Sequence, residues 1–97
     1  IVPCRPAGVI VWNDQAAVSL VKQLTRHGVA IPDEAAVIGY GAGDILGWAC
    51  EPPLSSISHG DEEIVRVLCE RLRSLLDGTP VPCRTPVASR LVLRESA

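Results

Sequence analysis

Polar and aromatic side chains suited to holding a small molecule occur at predicted strand ends and in the loops that follow them. Asn13 carries two N–H donors and one acceptor, and Asp14 and Asp44 carry charged acceptors. Planar groups of this kind match the adjacent hydroxyls of a sugar, which both donate and accept hydrogen bonds. Trp12 can supply a flat apolar face for a sugar ring, and His59 is a polar candidate on a loop. These residues predict a binding site for a small polar ligand.

Each of these residues also has an ordinary structural explanation. Asn13 and Asp14 are both good helix N-caps, and a helical pattern begins directly after them. Trp12 and Trp48 are large apolar residues of the kind that commonly pack in a core or an interface. A loop histidine such as His59 is commonly just solvated. The residue types alone leave both explanations open.

No pattern typical of catalysis or metal binding is found. The sequence lacks G-x-S-x-G, H-E-x-x-H and a P-loop, and the glycine-rich run 39–43 lacks the third glycine of a dinucleotide fingerprint. The cysteines form no C-x-x-C pair, and the two histidines are isolated, so neither a metal nor another cofactor is predicted. We expect reduced thiols and no enzymatic activity. The cysteines are Cys4, Cys50, Cys69 and Cys83.

Composition restricts the class of protein further. The chain has 97 residues, of which 47% are hydrophobic, and a formal net charge of −2. This is enough for one small packed domain or a piece of a larger one. No apolar run is long enough to span a membrane. The mildly acidic net charge argues against this segment binding the phosphate backbone of nucleic acid by itself. The start of the chain has neither an initiator Met nor a signal peptide, so we expect a segment of a longer protein.

Hydrophobic periodicity predicts an α/β protein. The apolar run that ends at Trp12 predicts a strand buried on both faces and central to the chain. A strand, a helix and a second strand with short links form a βαβ unit, so the strands should be parallel and the crossover right-handed. Strands are predicted at 7–12, 35–40, 54–58, 85–88 and 90–93, and helices at 15–27, 45–49 and 61–77.

The last predicted helix has more apolar surface than the chain can cover. Its apolar face consists of Ile64, Leu68, Leu72, Leu75 and Leu76. Three main strands form only a thin sheet. Together with the other long helix, they offer little surface that could pack against this face. We therefore expect the packing partner to lie outside this chain.

Four runs together resemble the sensor domains of LacI/GalR-type transcription regulators. Residues 11–17 (V-W-N-D-Q-A-A) resemble the strand-to-helix N-D-x-x-A junction of these proteins, and residues 28–40 resemble their G-x-x-V-P-x-D run ending in V-G-[FY]. Residues 52–57 (P-P-L-S-S-I) resemble P-P-L-T-T-[VI], and residues 91–96 (L-V-L-R-E-S) resemble L-[VI]-x-R-x-S. The runs occur in the family's order and span nearly the whole chain. The P-P-L-S-S form is also similar to the sensor of xylose-type AraC-family regulators.

The resemblance implies a type I periplasmic-binding-protein-like fold with Rossmann-like parallel layers, incomplete in this chain. It implies a cytoplasmic regulator whose sensor binds a small effector, commonly a sugar, between two lobes, without a cofactor. Lobe closure would signal to a DNA-binding domain elsewhere in the parent protein. Residues 1–97 would be the C-terminal portion of this sensor. Segments 7–58 and 90–94 would then belong to the second lobe, and segment 60–88 would pack with the first.

Single positions carry further expectations from the resemblance. Asn13 matches a ligand contact of the family, and His59 falls at the hinge, near the ligand. Gly41 departs from the family, which usually has a ligand-holding Asp there, and Asp44 is the candidate to replace it. Leu20 and Trp48 match regions that form the family's homodimer contact. A secreted sugar-binding protein, and a dimerisation module that has lost its ligand, remain as alternatives.

Overall fold

A four-stranded sheet forms the centre of the molecule. The computed structural model describes residues 6–41 and 44–97, without the side chains of residues 44 and 45. The strands are β1 (Ala7–Ile10), β2 (Ala35–Tyr40), β3 (Ser55–Ser58) and β4 (Arg90–Val92), and the helices are α1 (Asp14–Arg26), α2 (Asp44–Gly47) and α3 (Asp61–Leu76). The strand order is β1-β2-β3-β4, with β1, β2 and β3 parallel and β4 antiparallel to β3. The α/β class and the parallel β1-α1-β2 unit are confirmed.

The prediction that the first strand is central to the sheet is wrong. β1 pairs only with β2 in the described part of the chain, so β1 is an edge strand and β2 and β3 are central. Val9 is 37% exposed and Ile10 is 70% exposed, whereas Val37 of β2 is fully buried. The reason is that α1 packs on one face of the sheet, mainly against β2. The apolar run forms a strand as predicted, but the described residues leave its outer edge unpaired and most of the Ile10 side chain exposed.

The strand predicted at 85–88 does not form. No residue from 78 to 89 is in a helix or strand, whereas β4 is present at Arg90–Val92. Three prolines, at positions 80, 82 and 86, lie in this segment. Proline lacks the N–H that a strand must donate, so the segment cannot extend the sheet.

The core lies between α1 and the central strands. Ala17, Val18 and Val21 of α1 are buried against Val37 and Leu54. Their spacing of three to four residues puts them on one helix face, as the periodicity predicted. The helix ends before a glycine at position 28 with φ of +76°, the left-handed conformation that glycine adopts without a steric penalty.

The C-terminal segment is fixed to the sheet by Ser96, which is fully buried. Its hydroxyl donates a hydrogen bond to the Val37 carbonyl at 2.6 Å and accepts one from the Ser55 N–H at 2.7 Å. Arg94 adds a bond from its guanidinium to the Leu54 carbonyl at 2.7 Å. The R-x-S part of the final motif therefore has a structural role, since it anchors the return of the chain to β2 and β3.

Helix α3 extends away from this core. None of its residues is buried, and Leu68, Leu72 and Leu75 are each more than half exposed. The radius of gyration is 18.0 Å, whereas a compact domain of this length has about 13 Å. Among the helices of the described residues, none is long and apolar enough to cross a membrane.

Candidate ligand-binding cleft

An open cleft of about 420 Å³ lies at the carboxyl edge of the parallel strands. It is lined by Trp12, Asn13, Tyr40 and His59. Trp12 and Asn13 follow β1, Tyr40 ends β2, and His59 follows β3. Parallel strands end at the same edge of a sheet, which is where ligands bind in open α/β folds. The structure thus brings His59 next to the adjacent pair Trp12 and Asn13, which the sequence also singled out but which lie far from it along the chain.

Tyr40 is the cleft residue that the sequence reasoning missed. Its ring meets the His59 ring edge to face, with the centroids 4.8 Å apart and the planes at 82°. This geometry is favourable for aromatic pairs because the positive edge of one ring faces the negative face of the other. The available signal was its position as the last residue of β2, at the same sheet edge as Trp12.

Asn13 combines a capping role with a position on the cleft. It is the N-cap of α1, and its Oδ1 accepts a hydrogen bond from the Ala16 N–H at 2.7 Å. Because a backbone N–H can only donate, this bond identifies the oxygen of the amide. The Asn13 side chain therefore has both the structural role and the location that the sequence left as alternatives.

Asp14 is the first residue of α1 and is only 5% exposed. Its Oδ1 accepts a hydrogen bond from the Ser56 hydroxyl at 2.6 Å. Together with Asn13 and Gly41 it lines a smaller recess of about 300 Å³ beside the cleft. The structure thus gives this carboxylate a buried partner on β3, and a direct contact of Asp14 with ligand stays a prediction.

Gly41 replaces the acid of the family pattern in a backbone conformation that disfavours side chains. Its φ is +123°, and an added Cβ would lie 3.6 Å from Asp14 Oδ2. A carboxylate placed there would combine backbone strain with repulsion from Asp14. Asp44 begins α2, but its side chain lies outside the described atoms, so its predicted role as a substitute stays a prediction.

A second, more polar recess of about 620 Å³ lies where β3 leads into α3. Ser58, Gly60, Arg66 and Arg90 line it together with the acidic first turn of α3. Hydrogen bonds from Arg66 lower the pKa of Glu63. His59 Nε2 lies 3.5 Å from Asp61 Oδ1, so the cleft and this recess meet at the crossover into α3.

The predicted dimer residues lie in different surroundings. Trp48 is 66% exposed, and the Arg94 guanidinium carbon lies 5.7 Å from its ring centroid. Leu20 is half-buried and packs against the core cluster of α1. Trp48 therefore presents an exposed apolar surface, whereas much of the Leu20 side chain is covered within the chain. Their dimer contact stays a prediction.

The thiols of the described residues are unpaired. Cys50 is buried, and burial raises the pKa of its thiol, while Cys69 and Cys83 are exposed. Cys4 lies outside the described residues. Within residues 6–41 and 44–97, no group of three histidine, cysteine or acidic side chains is arranged to hold a metal ion.

The sequence and the fold of this chain are similar to those of known proteins. The family model of the periplasmic binding protein-like domain matches residues 1–97. The HTH-type transcriptional regulator GntR of Pseudomonas aeruginosa is 37% identical over 76% of this chain. The lactose complex of a LacI family transcriptional regulator from Arthrobacter sp. FB24 is 39% identical over 92% of the chain, with a TM-score of 0.80. The lac repressor dimer bound to operator is 25% identical over 95% of the chain, with a TM-score of 0.84.

The chain spans between 21% and 34% of the length of these three proteins. Relatives of this kind are transcription regulators, and the match covers both the β1-α1-β2 unit and the crossover into α3. The chain therefore belongs to the periplasmic-binding-protein-like family, as part of the sensor domain of a LacI-type transcription regulator.

Proposed function

We propose that this chain forms one wall of the effector site of a bacterial transcription regulator. The observation that carries the proposal is the convergence of Trp12, Asn13, Tyr40 and His59 on one cleft at the carboxyl edge of the sheet. A flat indole, an amide and two further rings form a surface suited to a small ring-shaped molecule such as a sugar. The lactose complex of the Arthrobacter relative supports this choice of ligand class.

The signalling mechanism would be closure of two lobes around the effector. His59 lies between β3 and α3, so a ligand in the cleft contacts the crossover directly. The exposed leucines of α3 would pack on the first lobe, outside this chain. A ligand that binds the closed form more tightly shifts the equilibrium toward it, and the attached DNA-binding domain responds. The parent protein would act as a cytoplasmic homodimer without catalytic activity.

The intact regulator allows a direct test. Its sensor should bind a neutral sugar saturably in calorimetry, and the same sugar should change the affinity of the regulator for operator DNA. Lactose and cellobiose are the first probes. Saturable binding without any effect on DNA affinity would argue for a binding protein rather than a sensor.

Asn13→Ser provides the matched variant. Serine keeps a good N-cap oxygen but removes the amide N–H groups, so folding should be retained while ligand affinity falls. Gln23→Ser, on the exposed side of α1, controls for the loss of an amide elsewhere on the same helix. Equal ligand affinity of wild type and Asn13→Ser would remove this residue from the site.

A further inference from the structure

We propose that the pair His59 and Asp61 makes the crossover from β3 to α3 sensitive to pH. The proposal rests on the proposed function, since it concerns the regulation of the same cleft. His59 follows β3 and lines the cleft, and Asp61 is the first residue of α3. Protonation of His59 converts their contact into an ion pair, which holds His59 in its place on the cleft.

The geometry of the crossover is the first step. His59 Nε2 lies 3.5 Å from Asp61 Oδ1, which is within the range of an ion pair. Gly60 lies between the two residues with φ of +69°, a left-handed conformation that glycine adopts without a steric penalty. Its N–H donates a hydrogen bond to the Ser58 hydroxyl at 3.3 Å. The contact between the two side chains therefore belongs to one conformation of this turn.

The second step is the contact of this turn with its surroundings. The His59 ring meets the Tyr40 ring with the centroids 4.8 Å apart, so β2 orients the imidazole. The backbone of the turn lies close to the segment that leads into β4, because a Cβ added at Gly60 would lie 3.3 Å from the Ala88 carbonyl oxygen. The turn thus touches the cleft, α3 and the second connection into the sheet, so its conformation affects all three.

The charges around His59 determine the sign of the effect. Between pH 5 and 8 a histidine changes its charge, whereas a carboxylate is normally ionised. Tyr40 is the titratable group from β2, and Asp61 is the carboxylate in direct contact. Further charged groups line the two neighbouring recesses: Asp14 from α1, Glu62, Glu63 and Arg66 from α3, and Arg90 from β4. Arg66 is held by Glu63 and Glu70. A proton on His59 therefore adds an attraction to Asp61 at acid pH, and this attraction is lost as the pH rises.

Hydrogen exchange of the intact regulator tests the turn without any effector. After correction for intrinsic exchange rates, residues 58–64 should exchange more slowly in wild type than in His59→Gln at pH 5.5, and equally at pH 8. Glutamine keeps an N–H donor but carries no charge at either pH. Asp61→Asn should behave as His59→Gln does. The difference should be about two- to fivefold, because Asp61 is 75% exposed and an exposed ion pair is weak.

Two variants control for the loss of a histidine and of an acid. His27→Gln replaces the histidine at the C-cap of α1, and Glu62→Gln removes a neighbouring charge from the first turn of α3. Both should keep the pH dependence of wild type. A loss of that dependence in Glu62→Gln as large as in Asp61→Asn would overturn the inference, since the effect would then come from the helix terminus as a whole.

Calorimetry with lactose and cellobiose measures the effect of the turn on the cleft. Both probes are neutral throughout this pH range, so a pH-dependent affinity originates in the protein. Wild type should bind about two- to fivefold more tightly at pH 5.5 than at pH 8, and His59→Gln should show no such change. Equal exchange in wild type and His59→Gln at pH 5.5, or a sugar affinity that does not depend on pH, would overturn the inference while leaving the proposed function intact. Binding of neither sugar, with the pH-dependent exchange present, would count against the proposed function and still support the pH-sensitive turn.

Discussion

Ser56 and Asp14 are 42 positions apart in the chain, and the Ser56 hydroxyl donates a hydrogen bond to Asp14 Oδ1 at 2.6 Å. Both side chains are buried. Gly39 lies opposite Ser56 in the sheet register, and the space beside it is filled by the Asp14 carboxylate. This contact ties the first turn of α1 to β3. It thereby fixes the position of Asn13 relative to Tyr40 and His59.

Ser56→Ala should destabilise the sensor of the intact regulator by about 1–3 kcal/mol, because a buried carboxylate loses a hydrogen-bond donor. Urea denaturation followed by circular dichroism measures the change in the free energy of unfolding. Ser19→Ala, on the exposed side of α1, serves as the control. If the two variants are equally stable, the bond to Asp14 has no net stabilising effect.

Gly39→Ala should lower the free energy of unfolding by about 1–3 kcal/mol, because the added methyl group overpacks the space between the sheet and α1. Its Cβ would overlap Asp14 Oδ1 and lie 2.9 Å from Leu54 Cδ2, so neighbouring atoms must move. Gly8→Ala in β1 is the matched control, since a Cβ there meets no atom within 4 Å among the described residues. A chemical melt of both variants distinguishes them. Similar midpoints would show that the sheet relaxes around Gly39 without strain.

Ser96→Ala should lower the free energy of unfolding by about 1–3 kcal/mol. The reason is that the Ser55 N–H and the Val37 carbonyl each lose a hydrogen-bond partner. Hydrogen exchange should show faster exchange of the Ser55 amide as well as a lower global stability. Ser96→Thr keeps the hydroxyl but adds a methyl group at a fully buried position, so it should restore the Ser55 protection only partly. Wild-type protection in the alanine variant would contradict the anchoring role of Ser96.

Trp12→Ala should weaken ligand binding about tenfold, because a stacked ring contributes roughly 1–1.5 kcal/mol. Folding should be nearly unchanged, since the side chain is 81% exposed. Calorimetry gives the affinity and a thermal melt gives the stability. Trp48→Ala removes the other tryptophan, which does not line the cleft. Loss of affinity in Trp48→Ala but not in Trp12→Ala would move the site away from the cleft.

Cys50 should react slowly with a thiol reagent at pH 8, because burial shields its Sγ and raises its pKa. A group whose pKa is raised by folding binds its proton more tightly in the native state. The resulting stabilisation is complete below the ordinary thiol pKa and is lost as the pH rises through the native value. Mass spectrometry of the labelled Cys50 peptide, with and without denaturant, measures the protection. Equal labelling rates would show that Cys50 is accessible in the native protein.

The sequence by itself determined the three helices and four strands of the described residues and their order along the chain, although it also predicted a strand at 85–88 that does not form. Helix periodicity in α1, the glycine after it and the polar residues at its start are local signals, because they depend on contacts three or four residues apart. The capping role of Asn13 could be predicted for the same reason. The family motifs then predicted the fold class, and the match of the whole chain confirmed it.

The tertiary structure decided which residues meet. Tyr40 and His59 come into ring contact only because β2 and β3 are neighbours in register, and no local pattern encodes that pairing. The buried state of Asp14 likewise depends on Ser56 and on the space beside Gly39. The edge position of β1 follows from the strand order. The burial of a side chain and the residues it contacts are long-range properties, since they depend on which surfaces the folded sheet brings together.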